Sequence, residues 1–287
     1  MAEPPWNPSH IRSALFTPAT RLASLNKAVA SGCDIVIIDL EDGVAPEAKA
    51  AARRSLAEWQ APEGVVLALR VNHATTCAGL EDLLMLRQTA PRWTAIMLPK
   101  AEGPWEIDLA AAHLAAAGEP PSIIALIETA LGLEAAPEIA RHPQVAALAL
   151  GGADLAADLG VTLAWDPLLP ARGRLVQAAA IGRCPAWDVP SLIVDETAPV
   201  AAEARAARTL GFSAKLAIHP RQVPAINDAF SPRPDEILHA GRVIAALAAA
   251  GGGACSLDGR MIDRPVALAA ERILQRAAPR RDKDARP

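Results

Sequence analysis

Charged residues recur at the ends of apolar runs in this chain. Asp39, Glu41 and Asp42 close or follow Ile35–Leu40, Glu128 follows Ile123–Ile127, and Asp154 follows Ala146–Leu150 behind Gly151-Gly152. Arg70 stands near the end of Val65–Val71 and Lys100 follows Ala95–Leu98; Asp195 and His219 follow Ser191–Val194 and Lys215–Ile218. If these ends share one pole of a fold, the carboxylates repel each other and a divalent cation relieves the repulsion. An all-oxygen donor set suits a hard cation such as Mg²⁺, which takes one or two carboxylates plus water and substrate oxygens. Glu128 and Asp154, on adjacent runs, are the natural ligand pair. The alternative for either is a structural salt bridge to Arg70 or Lys100. No His/Cys cluster has zinc spacing. Arg70 offers a planar fork to a carboxylate or a developing enolate oxygen, or it neutralises Asp39, Glu41 and Asp42. In Gly151-Gly152-Ala153-Asp154, small residues let the backbone N–H groups of Gly152 and Ala153 approach a ligand oxygen.

Elements must carry these groups to one place. The eight runs Ala14–Thr17, Ile35–Leu40, Val65–Val71, Ala95–Leu98, Ile123–Ile127, Ala146–Leu150, Ser191–Val194 and Lys215–Ile218 are mostly apolar without alternation. That pattern suits parallel strands buried on both faces. Between them lie alanine-rich helical stretches: Ala19–Ser31, Glu47–Trp59, Leu80–Thr89, Glu106–Ala117, Gly132–Ala140, Leu168–Ile181 and Thr197–Leu210. The expected fold is α/β, a (β/α)₈ TIM barrel over 11–220, where catalytic residues stand at the C-terminal strand ends. A doubly wound open sheet is the second choice, and no early G-x-G-x-x-G turn supports it. Residues 221–279 form a C-terminal helical appendage, with helices over Pro234–Ala249 and Val266–Arg276 around the break Gly251-Gly252-Gly253.

Composition narrows the function. Apolar residues make up 52% of the 287, enough for a large core, and the net charge of −4 argues against a broad nucleic-acid surface. Cys33, Cys77, Cys184 and Cys255 form no C-x-x-C pair, which points to reduced thiols and a cytoplasmic protein. The polar, proline-rich start Met1–His10 does not read as a signal peptide, and no membrane span is expected.

An ordered set of segments resembles the HpcH/HpaI aldolase and citrate lyase β-subunit superfamily, in its citrate lyase β-subunit-like, CoA-ester lyase branch. These are Arg12-Ser13-Ala14-Leu15-Phe16-Thr17-Pro18, Asp39-Leu40-Glu41-Asp42 after Ser31-Gly32-Cys33-Asp34, Leu69-Arg70-Val71-Asn72, Leu98-Pro99-Lys100, Ile127-Glu128-Thr129-Ala130, Gly151-Gly152-Ala153-Asp154-Leu155, Ala217-Ile218-His219-Pro220 and Asp258–Pro265. The resemblance spans roughly 11 to 275. The sequence departs from it at Pro18-Ala19-Thr20-Arg21, where many relatives have Pro-Gly-Asp/Asn-Arg, and it has no tyrosine.

The resemblance implies a modified (β/α)₈ barrel assembled as a trimer or hexamer. It implies Mg²⁺, with Mn²⁺ as a substitute, on Glu128 and Asp154, and Arg70 against the substrate. It implies that Asp263 reaches a neighbouring subunit's site; the competing role for Asp263 is to cap the helix that begins near Pro265. The implied reaction cleaves or forms a 3-hydroxy-acyl-CoA such as malyl-, citramalyl- or citryl-CoA, giving an acyl-CoA and a 2-oxo acid. Arg12, Arg21 and Lys27 are candidates for the CoA phosphates, with solvated surface charge as the alternative. Gly152 and Ala153 are candidates for substrate oxygens, and Asp39, Glu41, Asp42 and Lys100 support the site. Two other activities fit the same residues: an aldolase on free hydroxy-oxo acids, and a citrate lyase β-subunit that acts only with an acyl-carrier partner.

Overall fold

The computed structural model describes residues 6–89, 93–115 and 121–277. They form two compact units, one ending at Phe230 and the other starting at Ser231.

In the first unit, eight parallel strands close into a barrel in chain order. They are β1 (Ser13–Pro18), β2 (Ile35–Asp39), β3 (Leu67–Arg70), β4 (Ala95–Leu98), β5 (Ser122–Ile127), β6 (Val145–Leu150), β7 (Ala186–Asp188) and β8 (Ala214–Ala217). The ring closes where Ser13 to Leu15 pair with Lys215 to Ala217. Successive side chains point to opposite faces. In β2, Ile35 and Ile37 pack with Ala14, Met97, Leu126 and Trp187 inside the barrel, while Val36 and Ile38 pack outward in the core beneath the helices. Burial on both faces is why these strands are apolar throughout. Trp6 closes the N-terminal end: its indole N–H donates to Ser122 at 3.4 Å, and its ring meets Trp187 edge-on at 6.3 Å.

Helices follow the strands: α1 (Leu25–Ala30), α2 (Lys49–Glu58), α3 (Cys77–Thr89), α4 (Pro104–Ala115), α5 (Ala130–Ala140), α6 (Gly152–Asp158), α7 (Trp165–Gly182), α8 (Thr197–Leu210) and α9 (Val223–Phe230). The single helix expected over Ala19–Ser31 is instead a 3₁₀ segment, Ala19–Ser24, kinked at Arg21, and then α1; Val29 is exposed. The short α6 is an addition, because Gly151-Gly152 reads as a turn. The barrel unit also runs past the expected end at Pro220, since α9 packs on α8, β1 and β8. The end of the helix expected over Glu106–Ala117 lies outside the described residues.

The seventh strand is displaced from its expected place. Ser191–Val194 is irregular chain with Leu192 65% exposed, and the strand is Ala186–Asp188. Asp195 is therefore not at a strand end; it is exposed and pairs with Arg221 at 3.2 Å. The reason is a charge inside the strand. Asp188 is fully buried and points outward, where Lys215 Nζ donates to it at 2.7 Å and Arg172 Nε at 2.9 Å. Lys215 also donates to the Val189 carbonyl at 2.7 Å, and the Arg172 guanidinium lies 4.4 Å over the Trp165 ring. Partners distant in sequence thus allow a strand that apolar patterning does not reveal.

The second unit holds α10 (Pro234–Ala249), a hairpin of β9 (Cys255–Leu257) and β10 (Arg260–Ile262), and α11 (Arg264–Ala277). Its own core joins Ala240, Val243 and Leu247 to Ile262, Ala267 and Ala270. Among the described residues, no helix is long and apolar enough to cross a membrane.

The buried Lys215–Asp188–Arg172 cluster yields a stability prediction. Removing one partner of a buried ion pair costs roughly 3–5 kcal/mol, because the remaining charge stays desolvated. Lys215→Met should lower the free energy of unfolding by that amount in urea titration; a change within about 0.5 kcal/mol, the range of ordinary surface substitutions, would contradict the role given to this cluster.

Candidate active site

The C-terminal ends of the barrel strands form a pocket of about 320 Å³, lined by Phe16, Asp39, Arg70, Glu128, Asp154 and a wall that includes Leu163, Val189 and Ile218. Its lining mixes charged groups with apolar ones.

Asp39 ends β2 and holds Arg70. Arg70 Nε and Nη2 each donate to one of its carboxylate oxygens at 2.7 Å, and the backbone N–H groups of Glu41 and Gly43 donate at 2.9 and 2.8 Å. Four donors saturate this carboxylate. The tight turn requires glycine at 43, since a Cβ there would lie 2.5 Å from Asp39 Oδ2. Arg70 Nη1 lies 3.0 Å from Glu41 and 3.8 Å from Asp42, and the guanidinium stands 4.8 Å over the Phe16 ring. Burial acts to lower the Arg70 pKa, but the hydrogen bonds and charge of Asp39, with Glu41 and Asp42, outweigh it and raise it. Arg70 is therefore a fixed cation that both balances the acidic group and faces the pocket.

Glu128 and Asp154 meet at Lys100. The Lys100 ammonium is 2.5 Å from Asp154 Oδ2, 3.1 Å from Glu41 Oε1 and 3.7 Å from Glu128 Oε1. The Lys100 backbone N–H also donates to Glu128 Oε1 at 2.8 Å. Glu128 is 4% exposed, and burial, followed by the charge of Glu41, pushes its pKa to about 8 although Lys100 opposes the shift. Burial likewise raises Glu41, against the charge of Arg70. Glu41 Oε2 is buried with no hydrogen bond, although Arg70 is near. The pole thus carries Asp39, Glu41, Asp42, Glu128 and Asp154 against Arg70 and Lys100, with Asp39, Glu41 and Glu128 buried and Asp42 and Asp154 open to solvent.

This donor set fits a hard divalent cation. It is all oxygen, it is undercompensated, and an ammonium already stands among three of its carboxylates. Among the described residues no three Asp, Glu, His or Cys side chains form a ready-made cage. Mg²⁺ does not require one, since it keeps waters and takes substrate oxygens.

The glycines of Gly151-Gly152 are required by packing. A Cβ on Gly151 would lie 2.2 Å from Glu128 Oε2, and one on Gly152 would lie 2.7 Å from Val189 Cγ2. Gly152, Ala153 and Asp154 form the first turn of α6 and all line the pocket.

Other expected site residues fall elsewhere. Arg12 is corrected: it precedes β1, at the opposite pole, where Nε and Nη2 bind Asp34 at 3.0 and 3.1 Å. A residue ahead of a parallel strand cannot reach the pole where that strand ends. Arg21 and Lys27 are exposed on the segment that follows β1. Asp263 lies in the second unit, where Oδ1 accepts from the Val266 N–H at 3.3 Å and caps α11. His219 caps a 3₁₀ turn by accepting from the Arg221 N–H.

The sequence reading missed the supports of the acidic loop. Lys49, on α2, donates to the carbonyls of Leu40 and Glu41 at 3.0 and 2.9 Å and to the Asn72 side chain. Asn72 in turn donates to the Leu40 carbonyl at 3.0 Å and to the buried Asp82 at 2.7 Å. The signal available was Asn72 directly after Arg70-Val71.

Comparison with known proteins identifies the family of the chain. The family model for HpcH/HpaI aldolase/citrate lyase matches residues 12–220. The chain belongs to that family. A citrate lyase subunit beta-like protein of Mycobacterium tuberculosis is 37% identical over 273 residues, covering 92% of this chain and 94% of that protein. An L-malyl-CoA/beta-methylmalyl-CoA lyase of Cereibacter sphaeroides is 33% identical, with 96% of each chain covered. The structure of CitE from M. tuberculosis with magnesium, acetoacetate and coenzyme A matches with a TM-score of 0.81 at 33% identity, over 96% of this chain and 100% of that one.

Family membership does not by itself explain why Gly151 must lack a side chain; the packing against Glu128 does. Gly151→Ala should displace the Glu128 carboxylate and weaken divalent-cation binding by about 10–100-fold, the range seen when a metal ligand loses its orientation. Isothermal titration with Mn²⁺ reads this directly, and wild-type affinity would show that the carboxylate has another place to go.

Proposed function

We propose that this chain is a Mg²⁺-dependent lyase that cleaves, or forms, a 3-hydroxy-acyl-CoA, with an acyl-CoA and a 2-oxo acid as the other side of the reaction. The observation that carries the reading is one pocket lined by both Glu128 and Asp154 and by the fixed Arg70. Glu128 and Asp154 would hold the cation, with Mn²⁺ as a substitute. When bound, Mg²⁺ supplies Lewis-acid polarisation of the substrate's carboxylate and hydroxyl oxygens.

The residues of the chain account for the rest. In the cleavage direction the hydroxyl gives up its proton to solvent at the pocket mouth, from which Asp263 is reprotonated after it has donated to carbon, and the hydroxyl oxygen becomes the carbonyl of the 2-oxo acid. The electron pair of the breaking C–C bond moves to the thioester. Arg70, locked by Asp39, presents a fixed positive charge to the enolate oxygen that develops there. The enolate carbon then takes a proton. Asp263 of a neighbouring subunit is the proposed donor, because Glu128 and Asp154 are committed to the metal. Its capping bond uses Oδ1 alone, so capping α11 and moving a proton are compatible. The apolar wall keeps water from the enolate. Arg21 and Lys27, exposed past β1, would hold the CoA phosphates; Gly152 and Ala153 would offer backbone N–H groups to substrate oxygens. The proposed assembly is a trimer or hexamer in which Asp263 crosses between subunits. The four free cysteines support a reducing, cytoplasmic setting.

A panel of malyl-, citramalyl- and citryl-CoA with Mg²⁺, read by 2-oxo acid release, tests the activity. At least one ester should be cleaved by the purified chain, and Glu128→Gln and Asp154→Asn should each lose about 10³-fold in kcat, several kcal/mol of Lewis-acid stabilisation. Turnover of free hydroxy-oxo acids alone would favour the aldolase activity; no turnover without an acyl-carrier partner would favour the β-subunit role.

The shared site has its own test. Asp263→Asn and Glu128→Gln proteins should be inactive alone and recover activity when mixed under conditions of subunit exchange. Failure to recover despite demonstrated exchange would place the proton donor within the same chain.

A further inference from the structure

Lys100 is built into the pole more rigidly than a surface lysine. It follows β4 and Pro99, and its φ of 50° puts a residue with a Cβ in the left-handed region. Such a conformation persists only where the surroundings impose it. Its result is that the backbone N–H meets Glu128 while the ammonium of the same residue reaches Asp154 and Glu41 and lies 3.7 Å from Glu128.

The division of oxygens is specific. Lys100 takes Glu128 Oε1 by its backbone N–H, with the ammonium nearby, and takes Asp154 Oδ2 by its ammonium. Among the described residues, Glu128 Oε2 and Asp154 Oδ1 accept no hydrogen bond. Glu128 and Asp154 line the pocket; Lys100 does not. The lysine thus stands behind the two carboxylates, and Glu41, accepting from it at 3.1 Å, anchors it there.

We infer that Lys100 is a positioning residue for the cation site. It occupies one oxygen of Glu128 and one of Asp154, and so turns the other oxygen of each toward the pocket. This rests on the reading above that these two carboxylates bind a divalent cation. It makes Lys100 a favourable partner of the bound metal although both are positive.

The two effects of Lys100 have opposite signs, which makes the inference testable. By charge alone, removing an ammonium beside two ligand carboxylates should tighten cation binding. By positioning, removing it should loosen binding about 10–100-fold, as loss of groups that orient metal ligands does. Mn²⁺ and Mg²⁺ dissociation constants would be measured by isothermal titration calorimetry for the wild type, Lys100→Met, Lys100→Gln and Glu128→Gln. Thermal melting without metal would confirm that each variant is folded. The expected result is weaker binding in both Lys100 variants. Unchanged or tighter binding in whichever of them folds would overturn the inference. Glu128→Gln separates the two levels. If it binds Mn²⁺ like the wild type, the metal reading itself fails and the inference falls with it. If it loses Mn²⁺ and the Lys100 variants do not, only the role of Lys100 fails.

Discussion

Electrostatic crowding at one end of a barrel governs this molecule. Asp39, Glu41, Asp42, Glu128 and Asp154 converge at a pole where, among the described residues, Arg70 and Lys100 form the ion pairs with them, and three of the five are buried. Burial first, and then the charge of Glu41, push the Glu128 pKa to about 8. The surrounding structure divides the problem in two. Asp39 is neutralised permanently by a two-pronged Arg70 and two backbone donors. Glu128 and Asp154 are compensated only in part, by one ammonium, which is the basis for proposing them as ligands of a cation.

Small residues and remote charges make that arrangement possible. Gly43 and Gly151 are places where a single carbon would collide with Asp39 or Glu128. Lys49, Asn72 and Asp82 tie the acidic loop to α2 and α3. On the far wall, Lys215 holds Asp188 and the Val189 carbonyl, and Val189 packs where Gly152 has no side chain. The apolar wall of the pocket and the turn that bears Asp154 are thereby fitted to each other.

Much of this was legible in the sequence, and the exceptions share a cause. Strands buried on both faces announce themselves as apolar runs, so β1 to β6 and β8 were placed within a few residues, and the charged groups after them fell at one pole. β7 was misplaced because its buried Asp188 is satisfied by Lys215 and Arg172, partners that no local pattern shows. Arg12 was misassigned because a basic residue beside a strand says nothing until one asks at which end it lies. Lys49 and the Asn72–Asp82 pair were missed because their meaning depends on three elements meeting. The carboxylates were visible singly; the lysine that joins Glu128 to Asp154 was seen only as a neighbouring charge.

Glu128 and Asp154 are proposed to hold a divalent cation at this pole. Anomalous diffraction from Mn²⁺-soaked crystals addresses it without reference to any substrate. The expected result is a strong peak at the pocket, about 2.0–2.2 Å from one carboxylate oxygen of each residue, close to the distance hard cations of this size adopt. A peak coordinated elsewhere, or none at saturating Mn²⁺ with the pocket accessible, would contradict it.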